Sequence, residues 1–317
     1  MTGRTLFKAL WPVLRRGAGS VQFGTDPTRA RVVEGLRADE LDALQLLDGA
    51  HELPAALQTP TGRDLLDLLL AHRLVADAAQ PVPQPPPTRV LLAHDTQAVL
   101  RSAPTQSQAY AALAGRRAAH LLVVGRGELP RAIAELLRRA GIGSVRQGAD
   151  VADDWEPPAL VVLVGWGAVD SAAATPWRAR GTPVLPVVLH GLEAVVGPVV
   201  VPDGPCLRCL DLARADLDPA WPALLGQLVP VTVGAGPEVS GETTLVAMTA
   251  SMAAMVALAV LDGHSLPTGR SLEASLPWPG VRQRQWAAHP RCGCGTRSDP
   301  FCRPADGEVA PQVRMAG

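Results

Sequence analysis

Four cysteines in two tight pairs are the residues whose types and spacing best suit chemistry. Gly204-Pro205-Cys206-Leu207-Arg208-Cys209 sets two thiols with two residues between them. Far downstream, His289-Pro290-Arg291-Cys292-Gly293-Cys294-Gly295 sets two more with a single residue between. Zinc accepts four thiolates tetrahedrally at about 2.3 Å, and a short Cys-x-x-Cys turn supplies two of them from one bend. Pro205, Gly293 and Gly295 suit such turns. The competing readings are two disulfides or four buried thiols. A Cys-x-Cys disulfide is strained, because bonded cysteines need Cα atoms about 4.4–6.8 Å apart. A redox Cys-x-x-Cys opening a helix leaves the second pair unexplained. The spacing therefore predicts a structural zinc on Cys206, Cys209, Cys292 and Cys294, with no open position for a catalytic water. Such an ion pins the last strand and tail onto the middle of the chain.

The second candidate is a glycine turn. Leu121 to Val124 reads as a buried strand, followed by Gly125-Arg126-Gly127-Glu128-Leu129-Pro130 and a helix over Ala132 to Ala140. Strand, glycine turn and helix open a nucleotide-binding α/β unit. Three departures count against a nucleotide. Pro130 replaces the third glycine and has no N–H for a phosphate. Glu128 places negative charge at the helix N-terminus, which Arg126 partly offsets. Where a ribose-binding acid is expected, only Asp150 offers itself, past the strand end. Gly125, Arg126 and Gly127 are thus the candidate nucleotide residues of what reads as a vestigial site. Lys8 is the only lysine, so no lysine in the main domain can clamp a phosphate. His190, His264 and His289 show no paired carboxylate at useful spacing. Cys302 lies in a polar tail, Thr296 to Gly317, expected to be disordered. Nothing around it beyond Arg303 suggests the lowered pKa of a thioester-forming cysteine.

Further strands are expected at Leu160 to Val164, Val184 to Leu189 and Val195 to Val201, giving a largely parallel buried sheet. Leu245 to Leu261 is apolar at the lower length limit for a membrane span, yet carries Thr249 and Ser251, so a buried core helix is expected. Ahead of this domain, Ser20 to Phe23 and Arg29 to Val33 flank an Asp-Pro turn as a hairpin. A helix starts at Ala38-Asp39-Glu40 and stops at Gly49, a short one covers Leu53 to Leu57, and Thr61 caps a third carrying Leu65, Leu66, Leu69 and Leu70. Leu74-Val75 is extended. A hairpin and three helices make a winged-helix-like module. Over 35–80, Arg37, Arg63 and Arg73 face eight acids, a net charge of −5 and the wrong sign for DNA. A peptide added at the hairpin edge suits the module better. Residues 80–88, rich in proline, read as a stiff linker. Arg89 to Ala114 reads as a strand and two helices. The expected organisation is thus a module over 1–79, a linker over 80–88, the α/β domain over 89–295, and the tail over 296–317.

A chain of 317 residues with 47% hydrophobic content and a net charge of −1 is expected to be soluble and globular, with no pull toward nucleic acid or anionic membrane. Five cysteines, four in metal spacing, without a secretory pattern at the N-terminus, point to a reducing cytoplasm.

The segment Gly197-Pro198-Val199-Val200-Val201-Pro202-Asp203-Gly204-Pro205-Cys206-Leu207-Arg208-Cys209, closed by His289-Pro290-Arg291-Cys292-Gly293-Cys294, resembles the ThiF/MoeB-type, ubiquitin-activating-enzyme-like superfamily. Within it, most of the chain is similar to the cyclodehydratase partner proteins that bind leader peptides in thiazole/oxazole-modified peptide biosynthesis. The resemblance implies a ThiF-like Rossmann-type sheet and a structural zinc on the four cysteines. It also implies a leader peptide on the N-terminal hairpin and adjoining helix, a YcaO-type ATP-binding partner that performs the ring-forming chemistry, and a homodimer with the long apolar helix near its interface. Active relatives hold ATP with an acid, an Asn…Arg-Gln segment and a lysine. Here the chain passes from Asp150 to the strand at Leu160 with no room for them. Asp170, after that strand, is the only nearby acid for a metal–ATP role, which adds it to Gly125, Arg126 and Gly127 as a candidate nucleotide residue. The implied function is a non-catalytic, leader-peptide-binding adaptor. The alternative is an ATP-dependent adenylyltransferase acting on a peptide or carrier-protein C-terminus.

Overall fold

Apolar periodicity decides the elements of a computed structural model that describes residues 6–148, 157–202, 204–229 and 237–295. The chain divides into two compact units, 1–115 and 116–317. In order, the elements are β1 (Phe7–Ala9), β2 (Val13–Gly17), β3 (Ser20–Phe23), β4 (Arg31–Glu34), α1 (Ala38–Gln45), α2 (Ala55–Gln58), α3 (Pro60–Ala71) and β5 (Val75–Asp77). Next come α4 (Pro86–Leu91), α5 (Ala93–Ser102), α6 (Gln106–Ala118), β6 (His120–Val124), α7 (Glu128–Arg139), β7 (Ser144–Gln147), β8 (Leu160–Trp166) and α8 (Ser171–Ala179). The last are β9 (Val184–His190), β10 (Glu193–Val196), α9 (Leu207–Leu217), α10 (Trp221–Leu228), α11 (Thr243–Leu261), β11 (Arg270–Ser275) and β12 (Gly280–Gln285).

In the first unit, β2, β3 and β4 form an antiparallel sheet and β1 pairs with β5. Alternate residues of β3, Val21 and Phe23, turn inward onto Leu41 and Leu44 of α1, Leu57 of α2, and Leu65, Leu66 and Leu69 of α3. The acids foreseen at the start of α1 act there, with Glu40 accepting from the Arg37 amide at 2.9 Å. The cap of α3 is Thr59 rather than Thr61: its hydroxyl accepts from the Gly62 amide at 3.1 Å, and Pro60 at the first helical position has no N–H to satisfy. β1 and β2 had no counterpart among the expected strands. Because β2 pairs along β3, the edges left open in this sheet are β2 and β4.

The proline stretch behaves differently from a free spacer. Pro86 and Pro87 open α4, where first-turn amides lack helical partners and proline is tolerated. Gln84 is buried and donates to the Leu113 carbonyl at 3.3 Å. From α4 through α6 the chain is helical, without the expected strand. Arg73 donates to the Ala103 carbonyl at 3.0 Å, and the Asp77 amide donates to Gln106 at 2.9 Å, so α5 and α6 are tied to the first unit. The division falls inside α6, after Gly115.

The second unit is built on one seven-stranded sheet of order β12-β11-β10-β9-β8-β6-β7. β7, β6, β8 and β9 run parallel; β10, β11 and β12 continue antiparallel. The strand expected over Val195–Val201 is therefore corrected. Only Gly191 and Leu192 separate β9 from β10, far too few for a parallel crossover. Val200 instead makes an isolated antiparallel bridge with Val184. Side-chain alternation divides the core in two. Leu121, Val123, Leu160, Val162 and Val187 meet α7 and α11, whereas Leu122, Val124, Val161 and Leu163 meet α8, α9 and the four cysteines.

α11 is long and apolar enough to cross a membrane by length and composition, with 44% of its window buried. It lies along α7, β9 and β10, its apolar residues inserted into the first of these cores. Its C-cap Asp262 receives Arg116 Nε at 2.7 Å, an ion pair with side chains 7% and 5% exposed.

Candidate functional site

The four cysteines converge. Cys206 is the N-cap of α9 and Cys209 lies in its first turn, while Cys292 and Cys294 arrive from the segment after β12. All four are buried, with sulfurs within 4.8 Å of one another. Sγ separations are 3.7 Å for Cys206–Cys209, 3.6 Å for Cys206–Cys292 and 3.4 Å for Cys209–Cys294. A tetrahedron of sulfurs at 2.3 Å from an ion has edges of about 3.8 Å, so the set fits a metal ion with little movement. The thiols are electrostatically linked. The hydrogen bond with Cys209 draws the Cys206 thiol down to about 4, against burial. That anion and burial push Cys209 up. Several buried thiolates repel one another unless a cation sits among them. The turn carrying the second pair is braced from α9: His289 Nε2 meets Asp216 at 2.8 Å, Arg291 pairs with the same carboxylate, and the Cys292 amide donates to the His289 carbonyl at 2.8 Å. His289 does have a carboxylate partner, and His190 Nδ1 has one at 3.6 Å in Glu193, contrary to the expectation from spacing. Asp216 is too distant in sequence from His289 for any pattern to reveal that contact.

The glycine turn stands at the carboxyl ends of β6 and β8, the usual ligand position of an open α/β sheet. A cleft here is lined by Val124, Gly125, Arg126, Trp166, Asp170 and Val239, among others. Helix α7 begins at Glu128, a turn earlier than expected, so Pro130 lies in its first turn. Two amides at the start of α7 are occupied by the chain itself. Leu129 donates to the Val239 carbonyl at 3.0 Å, Glu128 to Ser240 Oγ at 3.3 Å, and Val239 to the Arg126 carbonyl at 2.7 Å. Gly127, at φ 108°, admits that backbone: a Cβ there would lie 2.6 Å from Val239 N. Asp170 is the N-cap of α8, accepting from the Ala172 amide at 2.8 Å, and Arg126 reaches Glu238 at 3.9 Å. Gly125, Arg126, Gly127 and Asp170 are thus together, but three of them serve the protein's own turn, plug and helix cap. Sequence reading missed Val239 and Ser240, because no local motif marks the segment that fills a turn from so far along the chain. Asp150, Cys302 and the 296–317 tail lie outside the described residues.

No protein-family model matches the chain, and no curated protein does. Solved structures do share its fold. The heterocyclase TruD superposes with TM-score 0.64 at 15% identity, over 92% of this chain and 42% of that one. A heterocyclase in complex with substrate and cofactor gives 0.63 at 14%, over 93% and 40%. MccB of E. coli with MccA gives 0.61 at 12%, over 92% and 99%, and MccB has also been solved with ATP. The chain therefore spans about two-fifths of the heterocyclases' length and nearly all of MccB's. The fold is the one shared by these heterocyclases and MccB. At these identities the likeness is one of architecture.

Proposed function

We propose that the protein is a non-catalytic adaptor that captures the leader segment of a precursor peptide and presents it to a separate YcaO-type, ATP-dependent cyclodehydratase in the cytoplasm. The observation that carries this reading is the filled turn: the first amides of α7 are bonded to Val239 and Ser240, and Pro130 has none. Phosphoryl and adenylyl transfer depend on donors and cations fixed around the phosphates, and here the Glu128 and Leu129 amides are engaged elsewhere. The first unit supplies the peptide site, a winged-helix-like module whose open edge at β4 offers unpaired backbone to an added strand. The cysteine set holds zinc, which closes the charge of four thiolates and ties the end of the chain to α9 without offering a coordination position. The exposed side of α11, with Met255 70% exposed, is the face for a second copy.

The adenylyltransferase reading draws on MccB, which has been solved with ATP and whose fold is shared over 91% of this chain and 99% of that one. Pyrophosphate exchange and calorimetry with Mg-ATP on metal-replete protein separate the two. The adaptor reading expects no exchange and no binding down to about millimolar affinity. Micromolar binding lost on Asp170→Ala would give the adenylyltransferase reading the lead.

A further inference from the structure

The antiparallel end of the large sheet carries a polar pocket that the cysteine centre and the nucleotide cleft leave unused. It is lined by His190, Glu193, Arg214, Glu273, Arg282 and Arg284, with Trp286 at its wall. Three of its basic side chains have partners. Arg214 Nη1 meets Asp211 at 3.3 Å and stacks between Trp221 and Trp286, its guanidinium 5.1 Å from each ring. Arg284 Nη2 donates to Glu273 Oε2 at 3.2 Å and lies over Trp286. His190 faces Glu193. Arg282 stands directly opposite Glu273 in the β11–β12 register, yet that carboxylate is taken by Arg284. Among the described residues no carboxylate pairs with Arg282.

The strand that carries Arg282 is the edge of the sheet, and its residues from Val281 to Gln285 are exposed. The Trp286 amide donates inward, to the Gly269 carbonyl at 2.7 Å. Antiparallel alternation then turns the backbone groups of Arg282 and Arg284 toward β11 and those of Val281 and Gln283 toward the open side. An incoming strand would thus find backbone donors and acceptors together with one uncommitted guanidinium. Glu193 and Glu273 bordering the pocket disfavour a dianion, whereas a single carboxylate matches the one free fork.

We infer that the open edge of β12 takes an extended acidic peptide as an added strand, with one carboxylate of that peptide seated on Arg282. This site is separate from leader capture on the first unit and stands without it. The probe is fluorescein-labelled Thr-Val-Glu-Val-Thr, compared with its glutamine counterpart by anisotropy at low ionic strength on the full metal-replete chain. The glutamate probe should bind about tenfold more tightly, and Arg282→Gln should erase that difference. Gln283→Pro removes an outward N–H and keeps the β11 ladder, so it should weaken both probes. Arg270→Gln, which removes a cation bonded to Gln283 on the opposite face, should change neither. Circular dichroism and metal content check that each variant folds. The inference is overturned by equal affinity for the two probes, by no binding, or by a glutamate preference that survives Arg282→Gln. A phosphoserine probe that outcompetes the glutamate probe would overturn the carboxylate assignment.

Discussion

Gly127→Ala tests the filled turn most directly. Gly127 sits at φ 108° and ψ −163°, a region essentially reserved for glycine, where another residue costs about 1–3 kcal/mol. The new Cβ would also stand 2.6 Å from Val239 N and 2.8 Å from Val239 O, so the 237–240 segment must shift. That shift breaks two backbone hydrogen bonds, Val239 N to Arg126 O and Leu129 N to Val239 O, each contributing about 1 kcal/mol. The total is about 3–5 kcal/mol. Gly148 also has positive φ, at 140°, but no described residue lies within 4 Å of its added Cβ, so Gly148→Ala should cost only the conformational part, about 1–3 kcal/mol. Urea unfolding followed by tryptophan fluorescence reads mainly the second unit, since Trp11 alone belongs to the first. Equal destabilisation by the two variants would show that Val239 does not close the turn in solution, and the case against nucleotide binding would have to be reconsidered.

Cys209→Ser removes one of four sulfurs and should abolish stoichiometric metal in native mass spectrometry, with loss of cooperative unfolding in the second unit; full metal retention would sink the four-thiolate reading. Arg116→Met leaves the Asp262 carboxylate buried and unpaired, which costs about 3–5 kcal/mol, whereas Arg116→Met with Asp262→Leu should recover most of it. A double variant as unstable as the single would show that the ion pair, rather than the stranded charge, sets the stability. The Asp48 carboxyl is held down to about 2 from 3.8, first by the Ala50 amide and then by His51. Because its folded pKa lies below the unfolded one, its stabilisation is full above about 3.8 and is lost as pH falls through about 2. Carbon-detected NMR titration should place its midpoint near 2, and Asp48→Asn should flatten the acid limb of the stability curve.

The sequence alone determined features whose causes are local. Two close cysteine pairs announce a ligand set because each turn brings its own sulfurs together, and the structure had only to join the turns. The strands Leu121–Val124, Leu160–Val164 and Val184–Leu189 were legible because buried parallel strands are short continuous apolar runs. Glu40 at the start of α1 could be read from its spacing to the helix start. Tertiary structure decided what depends on residues far apart. Strand β10 turned antiparallel because a two-residue connection admits no crossover, a matter of geometry that an apolar run does not encode. The end of the proline stretch, Pro86 and Pro87, opens a helix, and the buried Gln84 before it bonds to Leu113, a contact no local propensity encodes. Above all, a glycine turn and a helix N-terminus look alike in sequence whether they cradle a phosphate or their own chain. Only the position of Val239 and Ser240, more than a hundred residues from Gly127, decides between them.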